Sequence, residues 1–134
     1  MIPKTAKVLV VDDFVVFRTL VQKALSELGY VNLETATNGE EALELLIKAK
    51  EAGQPFELVL CDWNMPKMDG LDLLKNCRKN EGLKALTFVM VTAEADNHRV
   101  NEAFEAGADD YITKPINKNQ LADKLLTIKQ RSPQ

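Results

Sequence analysis

A chain of 134 residues with 46% apolar side chains, 28% charged side chains and a net charge of −3 has the balance of one ordinary globular domain. The charge argues against a nucleic-acid partner, which needs a basic face to displace counterions, and no apolar run approaches the roughly 20 residues that cross a membrane. Cys61 and Cys77 have neither metal-ligand nor redox spacing, and Met1-Ile2-Pro3-Lys4 leads into too few apolar residues for a secretory signal, so reduced thiols and a cytoplasmic location are expected.

Short β-branched runs alternate with amphipathic stretches along the whole chain. Val8-Leu9-Val10-Val11 predicts a strand, followed by Phe17, Leu20, Val21, Ala24 and Leu28 at helical spacing and a stop at Gly29. Val31 to Ala36 predicts a second strand, and Asn38-Gly39 leads into Ala42, Leu43, Leu46 and Ile47 on one helical face. Lys48 to Phe56 is read as a loop. Leu58 to Cys61 predicts the third strand, Leu71 to Cys77 the third helix, Phe88 to Val91 the fourth strand and Val100 to Ala106 the fourth helix. Tyr111 to Thr113 and Leu121 to Ile128 complete the last pair, leaving Gln130 to Gln134 as a frayed tail. Strands alternating with helices predict a doubly wound α/β domain, (βα)5, with a five-stranded parallel sheet covered on both faces. Residues 1–134 are expected to form this single domain, with no room for an output domain.

In such a sheet every strand carries its polar end to one edge, where open α/β sheets bind ligands. Asp12 and Asp13 end the first run, Asp62 the third, Thr92 the fourth and Lys114 the fifth. For Asp12 and Asp13 alone, a helix N-cap is the bland reading. Asp62 at the equivalent place on another strand changes it, because three clustered carboxylates repel one another unless a cation sits among them. Oxygen ligands with gaps for water suit Mg²⁺. A carboxylate such as Asp62 can attack a phosphoryl group, with Lys114 supplying a positive charge and Thr92 a hydroxyl donor.

Four segments in this order, Val-Val-Asp-Asp-Phe at 10–14, Cys-Asp-Trp-Asn-Met-Pro-Lys-Met-Asp-Gly at 61–70, Met-Val-Thr-Ala-Glu-Ala at 90–95 and Lys-Pro at 114–115, resemble the motifs of response-regulator receiver domains, and in particular the single-domain chemotaxis regulators of the CheY family. The resemblance covers nearly the whole chain. It implies the flavodoxin-like strand order 2-1-3-4-5. It also implies Asp62 as phosphoacceptor, with one Mg²⁺ per domain held by Asp12, Asp13, Asp62 and the Asn64 backbone carbonyl. Thr92 and Lys114 would contact the phosphoryl group, a cis Lys114–Pro115 peptide would aim the lysine inward, and Gly70 would let the loop turn tightly. Phosphorylation would draw in the Thr92 hydroxyl and let Tyr111 turn, altering a face that includes Ala95, Val100, Phe104, Tyr111 and Lys124. For Val100 and Phe104 the competing reading is plain core packing. Trp63 is expected to be exposed, and Glu94 and Asn64 to influence access of attacking water.

The partners implied are a chemotaxis histidine kinase as phosphodonor, the flagellar motor switch protein as target and a dedicated phosphatase, with the chain monomeric and catalysing only its own phosphorylation and slow dephosphorylation. The alternative output is a phosphate sink or relay among histidine kinases and phosphotransfer proteins. Two other classes fit poorly. A phosphatase of the haloacid dehalogenase type needs an acid two residues after its nucleophile, where this chain has Asn64. A flavodoxin-like carrier needs small residues in its first phosphate loop, where Asp-Asp-Phe would repel the phosphate.

Overall fold

The computed structural model describes residues 1–93 and 97–128. Five strands alternate with five helices: β1 (Val8–Val11), α1 (Val15–Glu27), β2 (Leu33–Ala36), α2 (Gly39–Glu51), β3 (Leu58–Asp62), α3 (Gly70–Lys79), β4 (Thr87–Thr92), α4 (Asn97–Ala106), β5 (Asp110–Thr113) and α5 (Lys118–Thr127). All strand pairs are parallel, and the sheet runs β2-β1-β3-β4-β5, the expected order.

Strand alternation divides the core into two layers. Leu9, Val11, Val59, Cys61, Phe88 and Met90 face one way and pack with Ala42 and Leu46 of α2, Leu71, Leu73, Leu74 and Cys77 of α3, and Ala103 of α4. Val8, Val10, Leu58, Leu60, Val89, Val91 and Ile112 face the other way, against Val21, Ala24 and Leu25 of α1 and Leu121 and Leu125 of α5. With both faces covered, β1, β3 and β4 are buried at every residue, which is why they read as continuous apolar runs rather than as alternating ones. The helices are anchored unequally: α3 buries four apolar side chains, whereas α4 buries Ala103 alone.

Several expectations are corrected. The second strand begins at Leu33, since Val31 is 84% exposed and Asn32 already serves the ladder by accepting the Val8 N–H at 2.9 Å. Lys48 to Glu51 belong to α2, whose last turn is extended by a Glu44–Lys48 ion pair at 2.8 Å, so the loop before β3 is shorter than expected. Leu20 lies 43% exposed, and the buried stripe of α1 runs through Val21, Ala24 and Leu25. The residues 129–134, with the expected frayed tail, lie outside those described.

Two glycines are demanded by close approach. A Cβ on Gly70 would lie 2.3 Å from the Asp62 carbonyl oxygen, so it is backbone proximity beneath the acceptor, not turn conformation, that requires glycine there. A Cβ on Gly39 would lie 2.4 Å from the Met68 carbonyl oxygen, which accepts the Gly39 N–H at 3.0 Å. The start of α2 therefore clasps the loop that follows β3.

Candidate functional site

The parallel register delivers the expected side chains to one edge. Cys61 of β3 pairs with Val11 of β1 and Met90 of β4, and Thr92 of β4 pairs with Thr113 of β5, so Asp12, Asp62, Thr92 and Lys114 emerge side by side. Backbone bonds extend the edge: the Asp12 N–H donates to the Ala36 carbonyl at 3.1 Å and the Lys114 N–H to the Thr92 carbonyl at 2.9 Å. The Lys114–Pro115 peptide is cis.

Asp12, Asp62 and Thr92 are buried, and Asp13 is exposed. Neither aspartate is a helix cap: the N-cap residue of α1 is Phe14, without a side-chain bond, and Asp12 Oδ1 instead accepts the Phe14 N–H at 2.9 Å. Lys114 Nζ bridges Asp12 Oδ2 at 2.9 Å and Asp62 Oδ2 at 3.2 Å. Asp12, Asp13 and Asp62 each offer an oxygen within 4.8 Å of the others. Three carboxylates against one ammonium leave an excess of negative charge, and hard oxygen donors with one exposed member fit a Mg²⁺ that keeps part of its water shell. Asn64, two residues beyond Asp62, is exposed in the loop beside them.

The electrostatics record the imbalance. Burial and the neighbouring Asp12 carboxylate hold the Asp62 carboxyl above its ordinary value, and Lys114 and the Trp63 backbone N–H offset this only in part. Burial alone would lower the Lys114 ammonium, but its hydrogen bond to Asp12 and the charges of Asp62 and Asp12 outweigh that and leave it raised. The adjacent thiols are inert: burial pushes Cys61 well above its usual range and Cys77 up to about 12.

Three of the residues expected on the switch face contact one another. The Phe104 and Tyr111 rings meet edge to face at 6.1 Å, and Lys124 Nζ lies 5.1 Å from the Tyr111 centroid while bonding Asp110 Oδ1 at 2.9 Å. Phe104 is 43% exposed and Val100 half-buried, so plain core packing does not account for this pair. Ala95 and Glu94 lie outside the described residues. Trp63 is corrected: it is buried in the core layer of α3, and the Arg99 guanidinium of α4 covers its ring at 4.8 Å from the centroid. Sequence periodicity also gave Phe17 to the helix core, whereas its ring lies 4.1 Å from Lys114 Nζ. Its place four residues after Asp13, in the first turn of α1, is the only signal that could have marked it.

The family model for the response regulator receiver domain matches residues 8–126. The chain belongs to the response regulator receiver family. This receiver is 44% identical over 128 residues to the chemotaxis protein CheY-3 of Vibrio cholerae, covering 96% of this chain and 95% of that one. It is 39% identical over 125 residues to the chemotaxis protein CheY of Pseudomonas aeruginosa, covering 93% and 97%. Among solved structures, it superposes on CheY4 of Vibrio cholerae with a TM-score of 0.81 at 34% identity, over 93% of this chain and 99% of the other. A structure of a CheX–CheY–BeF₃–Mg²⁺ complex from Borrelia burgdorferi matches with a TM-score of 0.81 at 29% identity, over 94% and 89%. This receiver is thus a CheY-like response regulator domain with an acidic cluster at the expected edge.

Proposed function

We propose that this receiver is a phosphorylation-activated chemotaxis switch that takes a phosphoryl group on Asp62 from a histidine kinase and then binds the flagellar motor switch protein. The observation that carries the reading is the Asp62 carboxylate clustered with Asp12 and Asp13 and paired with Lys114 at the ligand-binding edge of the sheet. An Asp62 oxygen attacks phosphorus on the kinase phosphohistidine: the O–P bond forms, the N–P bond breaks, and the imidazole nitrogen leaves with the electron pair. Mg²⁺ held by Asp12, Asp13, Asp62 and the Asn64 carbonyl would neutralise charge on the transferring group. Lys114 moves its ammonium from the carboxylate to a phosphoryl oxygen, and the Thr92 hydroxyl donates to another. Loss of the Thr92 hydroxyl from its resting place lets Tyr111 turn, and the rings and charges of Phe104, Tyr111 and Lys124 rearrange for the target. The protein acts in the cytoplasm as a monomer, is reset by a phosphatase partner, and has no catalytic turnover beyond its own phosphorylation and slow dephosphorylation. Relatives named as chemotaxis CheY proteins support the chemotaxis role.

One observation favours the second output, a phosphate sink or relay. Phe14, Val15 and Val16 are 61%, 62% and 64% exposed at the first turn of α1, beside the acceptor, and form an apolar landing area for a phosphotransfer partner.

The deciding experiment is the affinity for the N-terminal peptide of the host motor-switch protein, with and without Mg²⁺ and beryllofluoride, alongside Trp63 fluorescence. Tighter peptide binding with the phosphoryl mimic is expected. A fluorescence response with unchanged peptide affinity would remove the motor output and leave the relay.

A further inference from the structure

Lys114 has a third partner that the acidic cluster does not explain. Its Nζ lies 2.9 Å from Asp12 Oδ2, 3.2 Å from Asp62 Oδ2 and 4.1 Å from the centroid of the Phe17 ring. An ammonium has three N–H bonds, and here two carboxylates and one aromatic face surround it. The Phe14 ring also meets Phe17, edge to face at 6.2 Å and 67°. Phe14 is in turn tied by its N–H to Asp12 Oδ1 at 2.9 Å.

A core role for Phe17 is the ordinary reading of its place on α1, and the packing does not support it. Neither core layer includes Phe17, and the side chain is half-buried rather than enclosed. What the ring does contact is the charge. We infer that Phe17 is a positioning residue for phosphoryl recognition, holding the Lys114 ammonium at the mouth of the site through a cation–π contact; this rests on the reading of Asp62 as phosphoacceptor. Two carboxylates alone would draw the ammonium down into the acid cluster. The ring attracts it from the other side without offering a hydrogen-bond acceptor, so the ammonium keeps a partner when Asp62 Oδ2 is taken by the phosphoryl group. Only the carboxylate bond has to be exchanged, for a phosphoryl oxygen close by.

The test compares Phe17→Leu, which keeps apolar volume but removes the ring, with Phe17→Tyr, which keeps the face. In metal-free protein, the Lys114 ε-methylene protons should show an upfield ring-current shift by NMR that vanishes in Phe17→Leu and returns in Phe17→Tyr. Beryllofluoride affinity at saturating Mg²⁺ should fall about fivefold in Phe17→Leu and recover in Phe17→Tyr. In a Lys114→Ala background, Phe17→Leu should have no further effect on beryllofluoride affinity, whatever either change costs in stability. Equal beryllofluoride affinity in Phe17→Leu and the parent, or a fall of the same size in the Lys114→Ala background, overturns the inference. A parent protein that binds Mg²⁺ but no beryllofluoride would instead overturn the phosphoacceptor reading itself.

Discussion

Two ionic clusters sit at opposite ends of β4 and β5, and they are built on opposite principles. At the N-terminal end, the Arg78 guanidinium donates to the carbonyls of Gly107, Lys84 and Leu86 and to Asp109 Oδ2, using every N–H it has. Asp109 Oδ2 also accepts the Phe88 N–H at 2.8 Å, so one charge meets one charge and every donor is matched. At the C-terminal end, Lys114 faces Asp12 and Asp62 with Asp13 close by, and the charges do not cancel. A satisfied cluster fastens α3 to the loop before β5. An unsatisfied one is a site kept ready for a cation and a phosphoryl group, and it is maintained at a cost in stability.

Each cluster can be disabled separately. The largest effect is expected from Arg78→Ala, which leaves the Asp109 charge without its cation and three carbonyls without the guanidinium: about 3–5 kcal/mol of stability should be lost in urea unfolding. Magnesium should return none of it, because the damage is remote from the acidic edge. Lys114→Ala comes next, with about 2 kcal/mol lost in metal-free protein and much of that recovered at saturating Mg²⁺, since a second cation replaces the missing one. An equal loss with and without Mg²⁺ would mean that the lysine, too, is mere scaffolding. The same variant should accept a phosphoryl group yet fail to tighten binding of the motor-switch peptide.

The smallest effect has the opposite sign. Asp62→Asn should abolish phosphorylation while stabilising the metal-free protein by about 1 kcal/mol at neutral pH, because it removes one of the repelling carboxylates. The folded state holds the Asp62 proton more tightly than the unfolded chain does. This group's contribution is therefore fully present below the unfolded value of about 3.9 and is lost as pH rises through the raised folded value. The gap between variant and parent should open from about pH 4 upward in thermal melts without Mg²⁺. A gap that stays constant with pH would contradict the charge explanation.

The chemistry at the acidic edge was legible because it is written at strand ends. Continuous apolar runs mark the buried strands, and whatever polar residue ends each run must appear at the common edge, so Asp12, Asp62, Thr92 and Lys114 could be placed from order alone. The strand order itself came by resemblance, since several right-handed arrangements would satisfy the same pattern. What covers a side chain was not legible. Trp63 reads as an exposed aromatic beside a polar site until Arg99, 36 positions on, is seen lying over it. Leu20 and Phe17 share the helical period of the core residues, yet the stripe is centred on Val21 and Leu25 and leaves Leu20 outside. The extra turn of α2 was missed because Lys48 to Glu51 is polar, and a solvated helix end looks like a loop when only apolar periodicity is read.

The unequal anchoring of the helices gives the domain a mechanical gradient. Ala103 is the one buried side chain of α4, supplemented by half-exposed contacts of Arg99 with Trp63 and of Phe104 with Tyr111, whereas the four buried side chains of α3 contribute several kcal/mol. A coupling free energy of about 1–3 kcal/mol, the usual scale for allosteric linkage, would move α4 more readily than α3. Of the five helices, α4 is thus the one held by the fewest buried side chains, and it is the one that carries Val100 and Phe104 of the expected switch face.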